Sequence, residues 1–251
     1  MDPKITVITV VRNDEKNIEK TILSILSQDY HSLEYIIING ESTDQTGNII
    51  QKYSDRITRI LREPDQNIFD AMNKGVILAT GEWINFMNSG DSFANNSIIS
   101  EIFSTDKSVV DLIYGNSVIE FQNGKTRLLK VNNKQVFWKR YINHQSIFTK
   151  TQLLKDSPFN ITYDLCSDFE FLIHLYQTNK NIMPLEHTVS IRSSGGRSDM
   201  NRIRSHLQKA SILINLNSRE ISRFQIFVYI FYQIFMESIK SIVKFLLFRS
   251  R

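Results

Sequence analysis

Four short apolar runs, each joined to the next by a helical pattern, constrain this chain more than any other feature. Residues 4–11 (KITVITVV), 34–38 (EYIII), 57–61 (ITRIL) and 83–87 (WINFM) have the length and side chains of buried strands. Between the first two, Ile18, Ile22, Ile25 and Leu26 recur at helical spacing, with Asp14 available as a cap. Ser42 and Gln45 read as a capping box opening a helix to about Tyr53. A third helix is expected from about Asn67 to Ala79, stopping at Gly81. This β-α-β-α-β-α-β series predicts an α/β fold, Rossmann-like, with a mainly parallel central sheet and helices on both faces.

After Asp91 the rhythm changes. A helix is expected over 97–103, strands over 109–114 and 117–131 with a turn at Asn123-Gly124, and a short strand at 146–149. The aromatic pair Phe137-Trp138 precedes that last strand. Asp168 to Gln177 reads as an amphipathic helix and 182–191 as extended chain. Ser193-Ser194-Gly195-Gly196 has the composition of a mobile loop, and helices follow over about 199–215 and 219–248.

Charge placement narrows the partners. The chain carries 30 Lys and Arg against 26 Asp and Glu. From residue 219 onward there are six basic residues (Arg219, Arg223, Lys240, Lys244, Arg249, Arg251) and two acidic ones (Glu220, Glu237), so residues 1–218 are neutral. A neutral body argues against nucleic acid as the main partner. The single cysteine, Cys166, excludes an internal disulfide framework and reads as a buried thiol of a reducing compartment. Met1-Asp2-Pro3-Lys4 runs straight into a strand pattern without a signal sequence, and no uninterrupted apolar run is long enough for a span. The segment 224–249 is rich in aromatics but interrupted by Gln233, Glu237, Lys240 and Lys244. It suits a helix lying in an anionic membrane interface, or one packed on the domain or on a second copy in a homodimer.

At the carboxyl end of the fourth apolar run the pattern breaks into Asn88-Ser89-Gly90-Asp91. Ligands of open α/β sheets bind outside the carboxyl ends of the strands. Hard oxygen ligands there suit Mg²⁺ or Mn²⁺ held together with substrate phosphates. The first reading is therefore a nucleotide-diphosphate site with a divalent metal.

Seven segments, in order and at workable spacing, resemble the inverting family 2 glycosyltransferases of the GT-A fold, especially those of bacterial exopolysaccharide, O-antigen and colanic-acid synthesis. They are TVVRND (9–14), NGESTDQT (39–46), EPDQNIFDAMNKG (63–75), FMNSGD (86–91), HQSIFTK (144–150), SDFEFLIHL (167–175) and GGRS (195–198). The resemblance implies a GT-A domain over 1–198, with a nucleotide-sugar half (1–105) and an acceptor half (106–198). Residues 199–251 would form a C-terminal helical extension attached to a membrane surface through 219–251. It implies a donor site made by Thr9, Val11, Arg12 and Asn13 (base and ribose), Asn39, Asp65 and Asn73 (nucleoside), and Asn88 and Ser89 beside the diphosphate. Asp91 matches the metal-binding aspartate and Asp168 the general base, while His144, Gly196 and Arg197 fall on the acceptor side or its lid. Asn39 and Asn67 depart from the family pattern, and Asn88 and Gly90 leave Asp91 as the only carboxylate in its loop.

The chemistry explains those residue types. A metal stabilises the departing diphosphate as a Lewis acid. A carboxylate removes the proton of an acceptor hydroxyl attacking from the opposite face, typically worth ~10²–10⁴-fold. The implied protein is a peripheral enzyme on the inner face of a bacterial membrane, passing sugar from a nucleotide-diphospho-sugar, UDP-linked, to a lipid-linked saccharide. Two alternatives stand beside it: a catalytically degenerate membrane-bound assembly subunit, and a sugar-phosphate nucleotidyltransferase, whose Gly-rich, lysine-bearing triphosphate loop TVVRND does not offer. Plainer roles also stand: Asp91 as a helix cap, Asp168 as a first-turn charge, Asp44 as a capping-turn residue, His144 as a hydrogen-bonded structural histidine.

Overall fold

The computed structural model describes residues 2–131, 142–216 and 222–249. The Phe137-Trp138 pair and the charges of Arg219 and Glu220 lie outside them. The four apolar runs form β1 (Ile5–Val11), β2 (Leu33–Asn39), β3 (Arg59–Arg62) and β4 (Trp83–Phe86), and α1 (Ile18–Leu26), α2 (Thr46–Gln51) and α3 (Ile68–Leu78) connect them. They pair in parallel in the order β3-β2-β1-β4.

Burial on both faces explains why β1 and β2 read as continuous apolar runs. Ile5, Val7 and Val11 of β1 and Tyr35 and Ile37 of β2 pack with Ile18, Ile22 and Ile25 of α1 and with α4 (Ile98–Phe103). Ile8, Val10, Ile36 and Ile38 turn the other way, onto Phe69, Met72 and Val76 of α3. Each such fully buried aliphatic side chain contributes about 1.5–3 kcal/mol relative to exposure. At the amino edge of this sheet lies a buried carboxylate, Glu34. It accepts bonds from Thr6 Oγ1 (2.6 Å), Thr80 N (2.8 Å), Thr80 Oγ1 (2.6 Å) and Lys4 Nζ (3.3 Å). Burial alone would raise its pKa, but these partners outweigh it and bring the group down to about 2.

The second half is stitched into the same sheet, which becomes mixed there. Its strands are β5 (Ser92–Phe93), β6 (Leu112–Glu120), β7 (Thr126–Leu129), β8 (Ile147–Lys150) and β9 (Ile182–Ser193). β8 inserts antiparallel between β4 and β6, while β9 runs parallel to β6 and antiparallel to β5. The expected strand over 117–131 is divided: β6 ends at Glu120, a turn follows in which Gly124 has φ +76°, and β7 returns along β6. β5, a 3₁₀ turn (His144–Ser146) and α5 (Thr151–Asp156) had no sequence expectation.

Two expected caps are corrected. The residue before α1 is Asn17, and the Asp14 carboxylate instead accepts from Asn17 Nδ2 and Ser89 Oγ, both at 2.6 Å. The Ser42–Gln45 box does not form, because Asp44 Oδ1 takes Thr46 N (3.0 Å) and Ser42 Oγ accepts from Asn13 N (2.9 Å). Asn67 does cap α3, accepting from Phe69 N and Asp70 N.

The remaining helices are α6 (Ser167–Gln177), α7 (Arg197–Met200), α8 (Arg202–Asn215) and α9 (Arg223–Arg249). Ala210, Leu213 and Ile226 bring α8 and α9 onto the core that α3 and α6 cover. The outer face of α9 carries Phe224, Phe227, Val228, Phe231, Tyr232 and Phe235, all about half exposed or more. Among the described residues no helix is long and apolar enough to cross a membrane.

Candidate active site

The loops after β1, β2 and β3 converge at the carboxyl end of the parallel strands. Arg12 and Asn13 are exposed there, and Asn13 holds a left-handed φ of 53° that asparagine tolerates well. Its Oδ1 accepts from Thr43 N (2.8 Å), tying the first turn to the second. The Asp65 carboxylate lies against Gly40: a Cβ built there would stand 2.0 Å from Asp65 Oδ2, so a larger residue would push that carboxylate aside. Burial raises the Asp65 pKa, opposed by the charges of Arg12, Lys74 and Arg197. Arg12, Asn13 and Asp65 thus share one polar recess.

Other residues expected in that recess are elsewhere. Thr9 is fully buried, its hydroxyl donating to Met87 O (2.8 Å) and lying 3.1 Å from Tyr35 Oη, so it cannot line a base or ribose. The Val11 side chain is buried in the α1 core. Asn39 is 2% exposed, and its Oδ1 accepts from Ser42 N (2.9 Å), shaping the second turn. Asn73 spends both amide atoms on one residue: Nδ2 donates to Phe159 O (2.8 Å) and Oδ1 accepts from Phe159 N (2.9 Å). Thr9, Val11 and Asn73 are corrected from ligand-facing to structural because their polar atoms are used, or their side chains enclosed, within the protein, whereas Asn39 commits only its Oδ1.

The loop after β4 is built around Gly90, whose φ of +91° favours glycine, and whose N–H donates to Thr21 Oγ1 (3.0 Å). Asp91 is 7% exposed. Its Oδ2 accepts from Gln145 Nε2 (2.6 Å) and its Oδ1 from Ser193 N (3.2 Å). Burial raises its pKa, and the Gln145 bond, the nearby His144, the Ser193 N–H and Arg192 act the other way. Asn88 is also buried, and its Oδ1 has no hydrogen-bond partner. A desolvated carboxylate beside an unsatisfied amide oxygen fits a hard cation. Among the described residues, however, no three His, Cys, Asp or Glu side chains could hold a metal ion together. This loop therefore suits Mg²⁺ or Mn²⁺ only as an ion taking most of its shell from diphosphate and water, the usual habit of Mg²⁺.

Asp168 opens α6, and its Oδ1 accepts from Phe169 N (2.9 Å). Its Oδ2 is 3.4 Å from His144 Nδ1, and His144 Nε2 is 2.9 Å from Asn88 Nδ2. With Gln145 on Asp91, the dipeptide His144-Gln145 bridges the loop after β4 to the start of α6. Asp168 and His144 line a small cavity walled by Phe86, Phe159, Phe171 and Leu172. After β9, added side chains at Gly195 and Gly196 would meet open space. Arg192 closes this segment through Asp199 (2.9 Å), and Gly195 N also donates to Asp199. Arg197 is 56% exposed and 3.7 Å from Asp164.

Gln145 lies within HQSIFTK (144–150) and Ser193 within the loop composition, but neither they nor Asp199 has a site role assigned from sequence. The only available signal was the polar pair His144-Gln145 at the head of an apolar strand.

A protein-family model described as glycosyl transferase family 2 matches residues 6–167. The chain is a family 2 glycosyltransferase. Its sequence is 30% identical over 184 residues to a PGL/p-HBAD biosynthesis glycosyltransferase of Mycobacterium bovis, covering 70% of this chain and 72% of that protein. Among solved structures, Staphylococcus aureus TarS in complex with UDP-GlcNAc superposes with a TM-score of 0.66 at 18% identity, covering 89% of this glycosyltransferase and 69% of TarS. A mannosyltransferase of Pyrobaculum calidifontis, in complex with GDP-Man and Mn²⁺, gives 0.65 at 15% identity, over 86% and 64%. The fold of this glycosyltransferase is GT-A, with a helical region at its carboxyl end, as its sequence resemblance implied.

Proposed function

We propose that this glycosyltransferase moves a sugar from a nucleotide-diphospho-sugar, UDP-linked, to a lipid-linked saccharide with inversion at the anomeric carbon, in bacterial surface polysaccharide synthesis. The observation that carries this reading is the row Asn88–His144–Asp168, in which a 2.9 Å hydrogen bond and a 3.4 Å His–carboxylate contact join the phosphate-side loop to the carboxylate of α6. Nucleotide-sugar complexes of the two structural neighbours support the donor class. We assign residues 1–105 to the donor, 106–198 to the acceptor and 199–251 to attachment.

In this reading Arg12 and Asp65 hold the nucleoside from the recess above Gly40. Asn88 and Asp91, with Ser89 beside them, face the diphosphate, and a Mg²⁺ or Mn²⁺ there would neutralise the leaving group as a Lewis acid. Asp168 removes the acceptor proton as the hydroxyl oxygen bonds to the anomeric carbon and the bond to the diphosphate breaks. Inversion follows from that single displacement, as in inverting glycosidases. Segment 194–198, with Gly196 and Arg197, limits water at the reacting centre, favouring transfer over hydrolysis. The exposed aromatic face of α9, on a tail whose sequence holds six basic and two acidic residues, suits the anionic cytoplasmic leaflet. A second copy of the chain is the other cover for that face.

The test is transfer from UDP- and GDP-sugars by purified protein with Mn²⁺ and lipid extract, reading the new anomeric centre by NMR. Inversion is expected, and D168N should lower transfer by ~10²–10⁴-fold while UDP affinity stays within a few-fold. Retained configuration, or full transfer by D168N, ends this reading.

A further inference from the structure

His144 stands between two groups that the transfer reading assigns to opposite ends of the reaction. Its Nε2 is 2.9 Å from the Asn88 amide nitrogen and its Nδ1 is 3.4 Å from Asp168 Oδ2. An amide nitrogen only donates, so Nε2 accepts and the ring proton is left on Nδ1, facing the carboxylate. The ring is held in place by its neighbours in the chain on either side. Asn143 Nδ2 donates to Ser117 Oγ, and the carbonyl of Gln145 accepts from Asn85 Nδ2 at 3.0 Å, so the 3₁₀ turn is fastened to β6 and β4.

We propose that His144 is the positioning residue of the general base: in its Nδ1–H tautomer, imposed by Asn88, it holds Asp168 Oδ2 so that a remaining carboxylate lone pair faces the acceptor hydroxyl. The proposal rests on the assignment of Asp168 as base. Asp168 Oδ1 already takes Phe169 N, and the imidazole, 3.4 Å from Oδ2, is the neighbour of the second oxygen, close enough to steady it once substrate fills the cavity. During transfer the acceptor proton passes to Asp168 and the imidazole keeps its own. The same contact orients Asn88, whose Nδ2 is engaged by the ring while Oδ1 is left for the donor or its cation. Loop and base therefore share one support, and a disturbance of either reaches the other through a single ring.

The test combines kinetics with ¹⁵N NMR of histidine-labelled protein. H144A should lower kcat by roughly 10–100-fold, within the range of general-base catalysis, with the donor KM changed less than threefold. H144N places an amide N–H near the position of Nδ1 and should recover most of that loss, whereas H144Q, which reaches toward the Nε2 position, should not. The ¹⁵N shifts of His144 in the wild type should be those of the Nδ1–H tautomer, and N88A should abolish that preference. An Nε2–H tautomer in the wild type, or H144N no better than H144A, overturns the proposal. Wild-type kcat in H144A alongside an inactive D168N refutes the role of His144 alone. Full transfer by D168N instead removes the base assignment itself.

Discussion

Replacing Asn73 by alanine cuts both hydrogen bonds that hold the backbone of Phe159, at 2.8 and 2.9 Å. Phe159 is 6% exposed, and its ring lies 5.4–5.6 Å from those of Phe69, Phe86 and Phe171, so no other conformation offers its backbone equivalent partners without disturbing that cluster. Each lost bond costs about 0.5–1.5 kcal/mol, and leaving a backbone donor or acceptor unpaired adds to this where water cannot enter. Asn73 is half-buried, so part of the deficit is made good by solvent, and the sum is about 2–3 kcal/mol. For a domain of this size that corresponds to a fall in Tm of about 4–12 °C. N73D should lose at least as much, because it still accepts from Phe159 N but sets a carboxylate against Phe159 O. Urea and thermal unfolding measure the stability, and calorimetric titration with UDP measures the donor site. UDP affinity should hardly change, while kcat falls as the wall of the Asp168 cavity loosens. An unaltered Tm with a tenfold or greater loss of UDP affinity would refute the reasoning and return Asn73 to the nucleoside.

The folded pKa of Glu34, about 2, lies below its unfolded value, so its contribution to stability is full above that unfolded value and is lost as pH falls toward 2. In E34Q the acid side of the stability profile should flatten over that interval, and an unchanged profile would mean the four contacts carry no linkage. Q145A frees Asp91 Oδ2 and should weaken Mn²⁺-dependent UDP binding by loosening the loop, read by Mn²⁺ paramagnetic resonance; tighter binding would show that Gln145 competes with the ion instead. Exchanging Phe227, Phe231 and Phe235 for serine should leave Tm nearly unchanged, since all three are more than half exposed, yet abolish sedimentation with phosphatidylserine vesicles. Retained vesicle binding, or a shift from dimer to monomer with no vesicle binding in the parent, points to a second copy as the cover.

What could be read from residues alone was whatever depends on neighbours in the chain. The continuous apolar runs of β1 and β2 and the spacing of Ile18, Ile22 and Ile25 follow from local pattern and appear in the structure. Ser42-Thr43-Asp44-Gln45 misled because two acceptors stand before one helix start, and Asp44 takes Thr46 N while Ser42 takes the distant Asn13 N. Thr9 and Asn73 misled differently: a polar side chain near the end of a strand or on a helix looks the same in sequence whether it meets a ligand or a distant carbonyl. Met87 O and the Phe159 backbone, 78 and 86 residues from their partners, decided Thr9 and Asn73. Gln145 and β5 were invisible for a related reason, since the first matters through Asp91 and the second is two residues paired with β9.

The insertion of β8 between β4 and β6 has a consequence for how the protein is made. When β4 leaves the ribosome one of its edges has no strand beside it, and the strand that will cover it begins only at Ile147. At about 5–20 residues per second the nascent chain carries that raw edge for several seconds. A gene split near residue 105 would give two pieces that each lack a neighbour in the middle of the sheet. Such fragments should need coexpression to become soluble, and slow, chaperone-dependent maturation is the expected behaviour of the intact chain.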